Sequence, residues 1–356
     1  MSSIAGTHRP DRPTTPERAG SAPTIAQIAE ELGVSVPTVS KVLNGRSDVA
    51  PATRRRVEEA LERHRYRRRR PGAPRDGAAL IDLVFHQLGS TWSMEIIRGV
   101  EEAAAAARTS VILSELGGRH RPPRAWLETT LARPPAGVLL VASQLTEAQR
   151  HRLVSRSIPF VVIDTDGDTP ADVPTVGSDN WSGGLAATRH LVELGHRRIA
   201  AIGGPSDMLC SRARLDGYRS ALAAGGIAVD PALLDSGNFY VEPGYAAARR
   251  LLDRPDRPTA IFAGSDMQAI GVLRAAQELG LRVPHDVSVV GYDDLPLAQW
   301  TTPALTTVRQ PLTEMAATAT RILLDLAAGR QPELTRVNLA TELVVRETTA
   351  PPPARG

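Results

Sequence analysis

Apolar residues recur at Ile25, Ile28, Ala29 and Leu32, the three-and-four spacing of one helix face, and Val39, Val42 and Leu43 repeat that spacing after a break at Gly33. Thr24 with Gln27 three positions on forms a capping box, so a helix begins there, and Gly33 sits where a left-handed residue would end it. Ser35 can cap a second helix, which tolerates Pro37 in its first turn and runs to about Leu43. A third helix is predicted from about Pro51 to Arg63, burying Val57 and Leu61. The pattern changes from Ala78 onward. Short β-rich runs (ALIDLVFH, TSVILSEL, AGVLLVAS, PFVVID, RIAAIGG, TAIFAGS, VSVVGYDD) alternate with amphipathic stretches such as MEIIRGVEEAAAAA and DNWSGGLAATRHLVELG. Uninterrupted apolar strands separated by helices predict an α/β body with parallel sheets covered on both faces.

Length and composition narrow this further. The 356 residues suffice for two or three domains at about 100–200 residues each, and 42% hydrophobic with 23% charged residues excludes a wholly disordered or collagen-like chain. No apolar run approaches the ~18–20 residues of a membrane span, so no membrane partner is expected. The first 22 residues lack an apolar core behind their charges and read as a disordered tail, not a secretory leader. A single cysteine, Cys210, allows no internal disulfide and no Cys-rich zinc site, which points to a reducing cytoplasm. The net charge of +3 hides an asymmetry, because residues 24–75 hold twelve basic and six acidic side chains while the rest of the chain is net negative. The expected organisation is therefore a tail at 1–22, a basic head at 23–66, an Arg/Pro-rich linker at 67–77, a body at 78–349 and a second disordered tail at 350–356.

Two short helices joined by a glycine turn are the layout of a helix-turn-helix, whose second helix enters the DNA major groove. A plain three-helix bundle with solvated charges would show the same helix pattern. Charge favours DNA: Arg54, Arg55 and Arg56 on the third helix, followed by Arg63, Arg65 and Arg67 to Arg70, make a cationic strip suited to neutralising phosphates. Lys41, the only lysine in the chain, can donate to guanine, Thr38 and Ser40 can serve several acceptors, and Val36 and Pro37 can touch thymine methyls.

The run TIAQIAEELGVSVPTVSKVLNGRSDVAPATRRRVEEALERHRY resembles the DNA-binding head of the lactose-repressor (LacI/GalR) family of bacterial transcription regulators. The resemblance continues through SDNWSGGLAATRHLVELGHRRIAAIGGP, SRARLDGYRSAL, AIFAGSDMQAIGVLRAAQELGLRVPHDVSVVGYDD, PALTTVRQP and ELVVRETT. It implies operator contacts from Val36, Pro37, Thr38, Ser40 and Lys41, and phosphate contacts from Thr24, Asn44 and Arg54. It further implies a two-lobed body like the periplasmic sugar-binding proteins, with crossovers near residues 174–179, 305–310 and 334–338 and a small effector between the lobes. The family's effector contacts map onto Arg212, Phe239, Ser265 and Asp293. His86 and Asp164 stand at strand ends facing the same cleft, and Trp92 or Phe239 can stack on a pyranose.

The linker departs from the family, which places there a hinge helix with a leucine wedge. In RRRRPGAPRDG, Pro71, Gly72 and Pro74 are poor helix material and no leucine stands there, so Arg68, Arg69 and Arg70 would lie along the minor groove as an extended arm, or serve only as a flexible spacer. Enzyme readings fare worse. The sole lysine lies in the head, no G-x-S-x-G or H-E-x-x-H is present, and the eight histidines form no spaced cluster; no catalytic residue, metal or cofactor is expected. The remaining enzyme alternative is a sugar-metabolising α/β enzyme fused to a DNA-binding head, with Asp164 and Asp293 as acid and base. The reading that fits best is a homodimeric, sugar-controlled repressor on double-stranded operator DNA.

Overall fold

In the computed structural model, which describes residues 25–43, 49–64, 79–164 and 169–353, the chain divides into two compact units between residues 71 and 72. In the head, α1 (Ile25–Leu32), α2 (Val36–Leu43) and α3 (Pro51–Arg63) take the expected bounds. Ile28, Ala29, Val39, Val42, Val57 and Ala60 make its small core, so the apolar spacing of the sequence is the packing face. Gly33 has φ +63° and ends α1, Val34 N–H closing back on the Ala29 carbonyl at 2.9 Å, and the Ser35 hydroxyl accepts from Thr38 N–H at 3.2 Å to start α2. Glu31 binds both Arg63 and His64, tying α1 to the end of α3.

The body is two parallel α/β layers. The first contains β1 (Ala79–Phe85), α4 (Thr91–Ala106), β2 (Thr109–Glu115), α5 (Arg124–Ala132), β3 (Gly137–Val141), α6 (Glu147–Ser155), β4 (Phe160–Ile163) and β5 (Thr175–Ser178). The second contains α7 (Asn180–Glu193), β6 (Ile199–Gly203), α8 (Leu209–Ala224), β7 (Leu234–Ser236), α9 (Val241–Leu252), β8 (Ala260–Ala263), α10 (Asp266–Glu278), β9 (Ser288–Asp293) and β10 (Thr306–Arg309). The chain then returns with α11 (Leu312–Ala327) and β11 (Arg336–Leu339) to the first lobe and ends in the second with β12 (Glu342–Val344). The sheet orders are β11-β5-β4-β3-β1-β2 and β12-β10-β9-β8-β6-β7, and among the described residues only the β10–β12 pairing is antiparallel. All seven predicted strand runs are observed as strands.

Two boundaries differ from expectation. The chain leaves the first lobe just after β5, returns just after β10, and crosses a third time at 340–341, not within 334–338, because β11 pairs with β5 over its whole length before the chain turns away. The expected disordered tail at 350–356 is packed as far as Ala350. The buried His196 needs partners on both ring nitrogens: Nδ1 accepts from Thr259 Oγ1 at 2.8 Å and Nε2 donates to the Ala350 carbonyl at 2.9 Å. Val289 N–H also donates to the Thr348 carbonyl at 2.8 Å.

The core of the first lobe runs from β1, β3 and β4 onto α4 and α11, where Ile96, Val100, Met315, Ala319 and Leu323 are buried. Gly99 of α4 abuts α11, and a Cβ there would overlap the Thr313 carbonyl, which cannot rotate away. Gly99→Ala is expected to cost about 1–3 kcal/mol by forcing the two helices apart. Thermal unfolding measures this, and an unchanged midpoint would show that the helices part freely.

Candidate functional site

In an open α/β sheet ligands gather beyond the strand carboxyl ends, where strand order reverses. Here that place lies between β1 and β3 in one lobe and between β6 and β8 in the other, and a cavity of about 250 Å³ opens between them. His86, Trp92 and Asp164 line it from the first lobe, and Phe239, Ser265 and Asp293 from the second. Six of the seven expected effector residues are thus brought together.

Arg212 is the exception and is corrected. It is exposed and turns outward, its guanidinium donating to the Ser206 and Asp207 carbonyls at 3.2 and 3.0 Å. The arginine in the cavity is Arg214. Two residues along a helix is a rotation of about 200°, so the two side chains of α8 cannot share a face. Cys210, Arg214 and Tyr218, four apart, form the buried stripe, whereas Arg212 shares the outward face with Asp216 and Arg219. That stripe was readable from spacing alone.

Arg214 is 4% exposed and organises the second-lobe wall. Its Nε donates to Asn180 Oδ1 at 2.8 Å and its Nη1 to the Gly264 carbonyl at 2.6 Å. The guanidinium lies 3.8 Å above the Tyr292 ring and 5.3 Å from that of Phe239, with Asp293 Oδ1 3.8 Å from Nη1. Gln310 Nε2 donates to the same carboxylate oxygen at 2.6 Å. Burial nevertheless pushes the Asp293 carboxyl up to about 7, with Asp164 adding to the rise while Arg214 and Gln310 oppose it. Asp293 therefore exchanges a proton near neutrality.

Several wall residues carry backbone strain. Ala142, Asp164, Phe239 and Asp293 all have positive φ, at 45°, 51°, 68° and 116°. Such conformations cost about 1–3 kcal/mol each for non-glycine residues and concentrate at binding sites. The Phe239 ring lies flush on Gly204, where any Cβ would overlap it. The Ser265 hydroxyl is already committed, donating to the Phe239 carbonyl at 2.8 Å and accepting from Gln268 N–H at 3.1 Å, so Ser265 acts by holding Phe239 and capping α10. Cys210 is an inert wall atom, because burial pushes its thiol up to about 12.

On the opposite wall His86 stacks on His120 at 4.9 Å, and His120 Nδ1 donates to the Ala142 carbonyl at 3.1 Å. Burial, with His120 alongside, pushes His86 down to about 4 against the pull of Glu115, so it is neutral at physiological pH. Its Nδ1 is buried with no hydrogen-bond partner among the described residues. Asp266 and Asp294, also at strand ends, are structural. Asp266 accepts from Leu295 N–H at 2.7 Å and from the Thr307 hydroxyl, and Asp294 pairs with Arg346 at 2.6 Å and Arg309 at 2.8 Å. Sequence reasoning missed Arg214, Asn238, Tyr240, Met208 and His120 in the cavity wall. No cluster that could hold a metal ion occurs among the described residues.

In the head, α2 turns Val39 and Val42 inward and leaves Val36, Pro37 and Lys41 exposed, with Thr38 and Ser40 half-exposed beside them. Arg54 stands in the first turn of α3, 3.9 Å from Glu58, while Arg56 is committed to the Leu32 carbonyl at 3.0 Å and so ends α1. The expected contacts Thr24, Asn44, Arg68, Arg69 and Arg70 lie outside the described residues, as does the Thr24 capping box.

Residues 24–69 match the model of the bacterial regulatory proteins of the lacI family, and residues 188–349 that of a periplasmic binding protein-like domain. The transcriptional repressor CytR of Escherichia coli K12 is 33% identical over 332 residues, covering 92% of this chain and 97% of that protein. The structure of a complex of the transcriptional regulator CelR with cellobiose is 35% identical, with a TM-score of 0.68 over 92% of this chain and 99% of the other. The lac repressor dimer bound to operator and the anti-inducer ONPF is 27% identical, with a TM-score of 0.66 over 93% and 100%.

Proposed function

The chain belongs to the lacI family of bacterial regulatory proteins, and from that premise we propose that its cavity takes a small neutral sugar whose binding changes the operator affinity of two heads paired in a homodimer. The protein is a DNA-binding transcriptional repressor with a helix-turn-helix head and a periplasmic-binding-protein-like body. The observation that carries the sugar reading is the composition of the cavity: Arg214 beside the Phe239 ring and paired with Asp293 on one lobe, His86 with an unsatisfied nitrogen on the other. A polyol fits such a site, offering hydroxyls to the charged pair and the imidazole, and a C–H face to the ring. The complex of a similar regulator with cellobiose supports the same class.

The head reads DNA with Val36, Pro37, Thr38, Ser40 and Lys41 on base edges and Arg54 on phosphate; Thr24, Asn44 and Arg68 to Arg70 would add backbone contacts. A two-fold dimer matches a pseudo-palindromic operator, as in the related lac repressor dimer bound to operator. Action in the cytoplasm follows from that partner, and no helix among the described residues is long and apolar enough to cross a membrane. We read the carboxylates as ligand contacts and not as the acid and base of a fused enzyme, a reading supported by relatives that are transcriptional regulators. The coupling is reciprocal and typically about 1–3 kcal/mol, so the sugar changes DNA affinity by the factor by which DNA changes sugar affinity.

Thermal unfolding against mono- and disaccharides, cellobiose first, repeated with the DNA flanking the gene, tests this. Stabilisation by one sugar with a reciprocal change in operator affinity is expected. Stabilisation by DNA and by no sugar would overturn the ligand class.

Asp293 adds a pH signature. Its carboxyl is raised from 3.8 to about 7 in the fold, so its contribution to stability is full below 3.8 and is lost as pH rises through 7. Sugar hydroxyls donate to the ionised form, so binding releases a proton below neutrality. Affinity is expected to rise by up to about tenfold per pH unit below 7 and to level off above it, as one linked proton allows. Calorimetry in buffers of different ionisation enthalpy counts that proton, and a flat profile from pH 5.5 to 8 would exclude Asp293 from the contact.

A further inference from the structure

Five buried residues close a ring beside the cavity, through the backbone of Ser178. Ser178 Oγ donates to Gln310 Oε1 at 2.6 Å, and Gln310 Nε2 donates to Asp293 Oδ1 at 2.6 Å. Asp293 pairs with Arg214 at 3.8 Å, Arg214 Nε donates to Asn180 Oδ1 at 2.8 Å, and Asn180 Nδ2 donates back to the Ser178 carbonyl at 3.1 Å. All five residues are buried. Asp293 and Arg214 face the cavity, whereas Ser178 ends β5 at the first interlobe crossing and Gln310 follows β10 in the second. The third crossing is tied in through Asp179, whose N–H donates to the Leu339 carbonyl at 2.9 Å and whose carbonyl accepts from Thr341 Oγ1 at 3.2 Å.

We propose that Gln310 is the positioning residue through which a ligand held by Asp293 and Arg214 is felt by the interlobe crossings. Its amide is used at both ends, the oxygen on the crossing residue Ser178 and the nitrogen on the cavity carboxylate, so Asp293 cannot move toward a ligand without pulling on the other crossing. Its backbone N–H also donates to the Asp293 carbonyl at 3.3 Å, which fixes the spacing of the two residues. A ligand that draws on Asp293 therefore changes the geometry of the first and second crossings together, and these set the angle between the lobes. The proposal rests on the effector-controlled reading of the same cavity.

The test compares full-length wild type with Gln310→Leu, which keeps the bulk and loses both links, and Ser178→Ala, which loses only the link to the crossing. Operator affinity is measured with and without saturating cellobiose, and cellobiose affinity by calorimetry. Wild type is expected to change its operator affinity roughly 5–150-fold, and Ser178→Ala to bind cellobiose within about threefold of wild type while that ratio collapses towards one; Gln310→Leu, which also takes a donor from Asp293, is expected to lose the ratio too. A merely structural role would weaken cellobiose binding and thermal stability of Ser178→Ala along with the ratio, and that outcome overturns the proposal, as does a wild-type ratio in either variant. If Gln310→Leu fails to fold, Ser178→Ala decides alone. If cellobiose leaves wild-type operator affinity unchanged, the choice of ligand fails, and a ligand-free cycle decides for Gln310. The effects of Asp293→Asn and Ser178→Ala on the unfolding constant are expected to be non-multiplicative in wild type and multiplicative in the Gln310→Leu background; multiplicative effects in both overturn the coupling role.

Discussion

Arg214→Ala is expected to eliminate effector binding and to lower the stability of the body by about 3–5 kcal/mol, the loss typical when one partner of a buried ion pair is removed. Both members of the pair are buried, and Asp293 would lose its cation while keeping a dry environment. The Asn180 amide and the Gly264 carbonyl would lose their donor as well. The loss should be smaller at pH 6 than at pH 8, because Asp293 already takes a proton near 7 and without Arg214 would take one more readily. Arg212→Ala should change neither sugar binding nor stability beyond a few tenths of a kcal/mol, since it removes only an exposed side chain and its two carbonyl contacts. Urea melts at the two pH values with a sugar titration measure all of this. Equal losses from the two arginines would show that the helix face has been misassigned.

Lys41→Ala is expected to abolish specific operator binding while leaving sugar binding intact. A side chain donating to a guanine edge is worth about 1–3 kcal/mol of discrimination, and a dimer loses the contact twice, which multiplies to roughly 30- to 10⁴-fold in affinity. The residue is exposed on the face of α2 that Val39 and Val42 leave outward, so head stability should hold. Salt dependence separates the modes. A base contact leaves the slope of log affinity against log salt unchanged, whereas a phosphate contact lowers it by about one per head. Operator affinity within twofold of wild type would remove Lys41 from the interface.

The fold was legible because its signals are local. A short apolar run such as GVLLV, set among alternating helical stretches, reads as a strand buried on both faces, and Gly33 at the end of the apolar spacing of Ile25 to Leu32 reads as the end of a helix. The cavity was legible where a residue ends or follows a strand, as Asp293 and Asp164 do, since the topology carries the carboxyl ends of the parallel strands to one side of each sheet. It was illegible where side chains compete for partners. Nothing in SDMQ says that the Ser265 hydroxyl is spent on Phe239, and nothing near His86 announces His120, which arrives from a loop 34 residues on. The Arg212 error belongs to a third kind. Motif position chose one arginine, while the four-residue stripe of Cys210 and Tyr218 had already chosen the other. Gln310 and Ser178 carried no signal, because their hydrogen bond spans 132 positions.

The thrice-crossing chain also sets an order of birth on the ribosome. Among the described residues the core of the head is complete by Leu61, so the head can fold early, as soon as it emerges. The first lobe has most of its strands by Ser178, yet it must wait for Leu312, Met315, Ala319 and Leu323 of α11 to seal its core and for β11 to cover the β5 edge. The second lobe waits longer still, for β12 and the Thr348 and Ala350 anchors. A reading frame broken anywhere between residues 180 and 310 therefore yields a finished DNA-binding head on two unfinished lobes, so nonsense alleles across that whole span should share one phenotype.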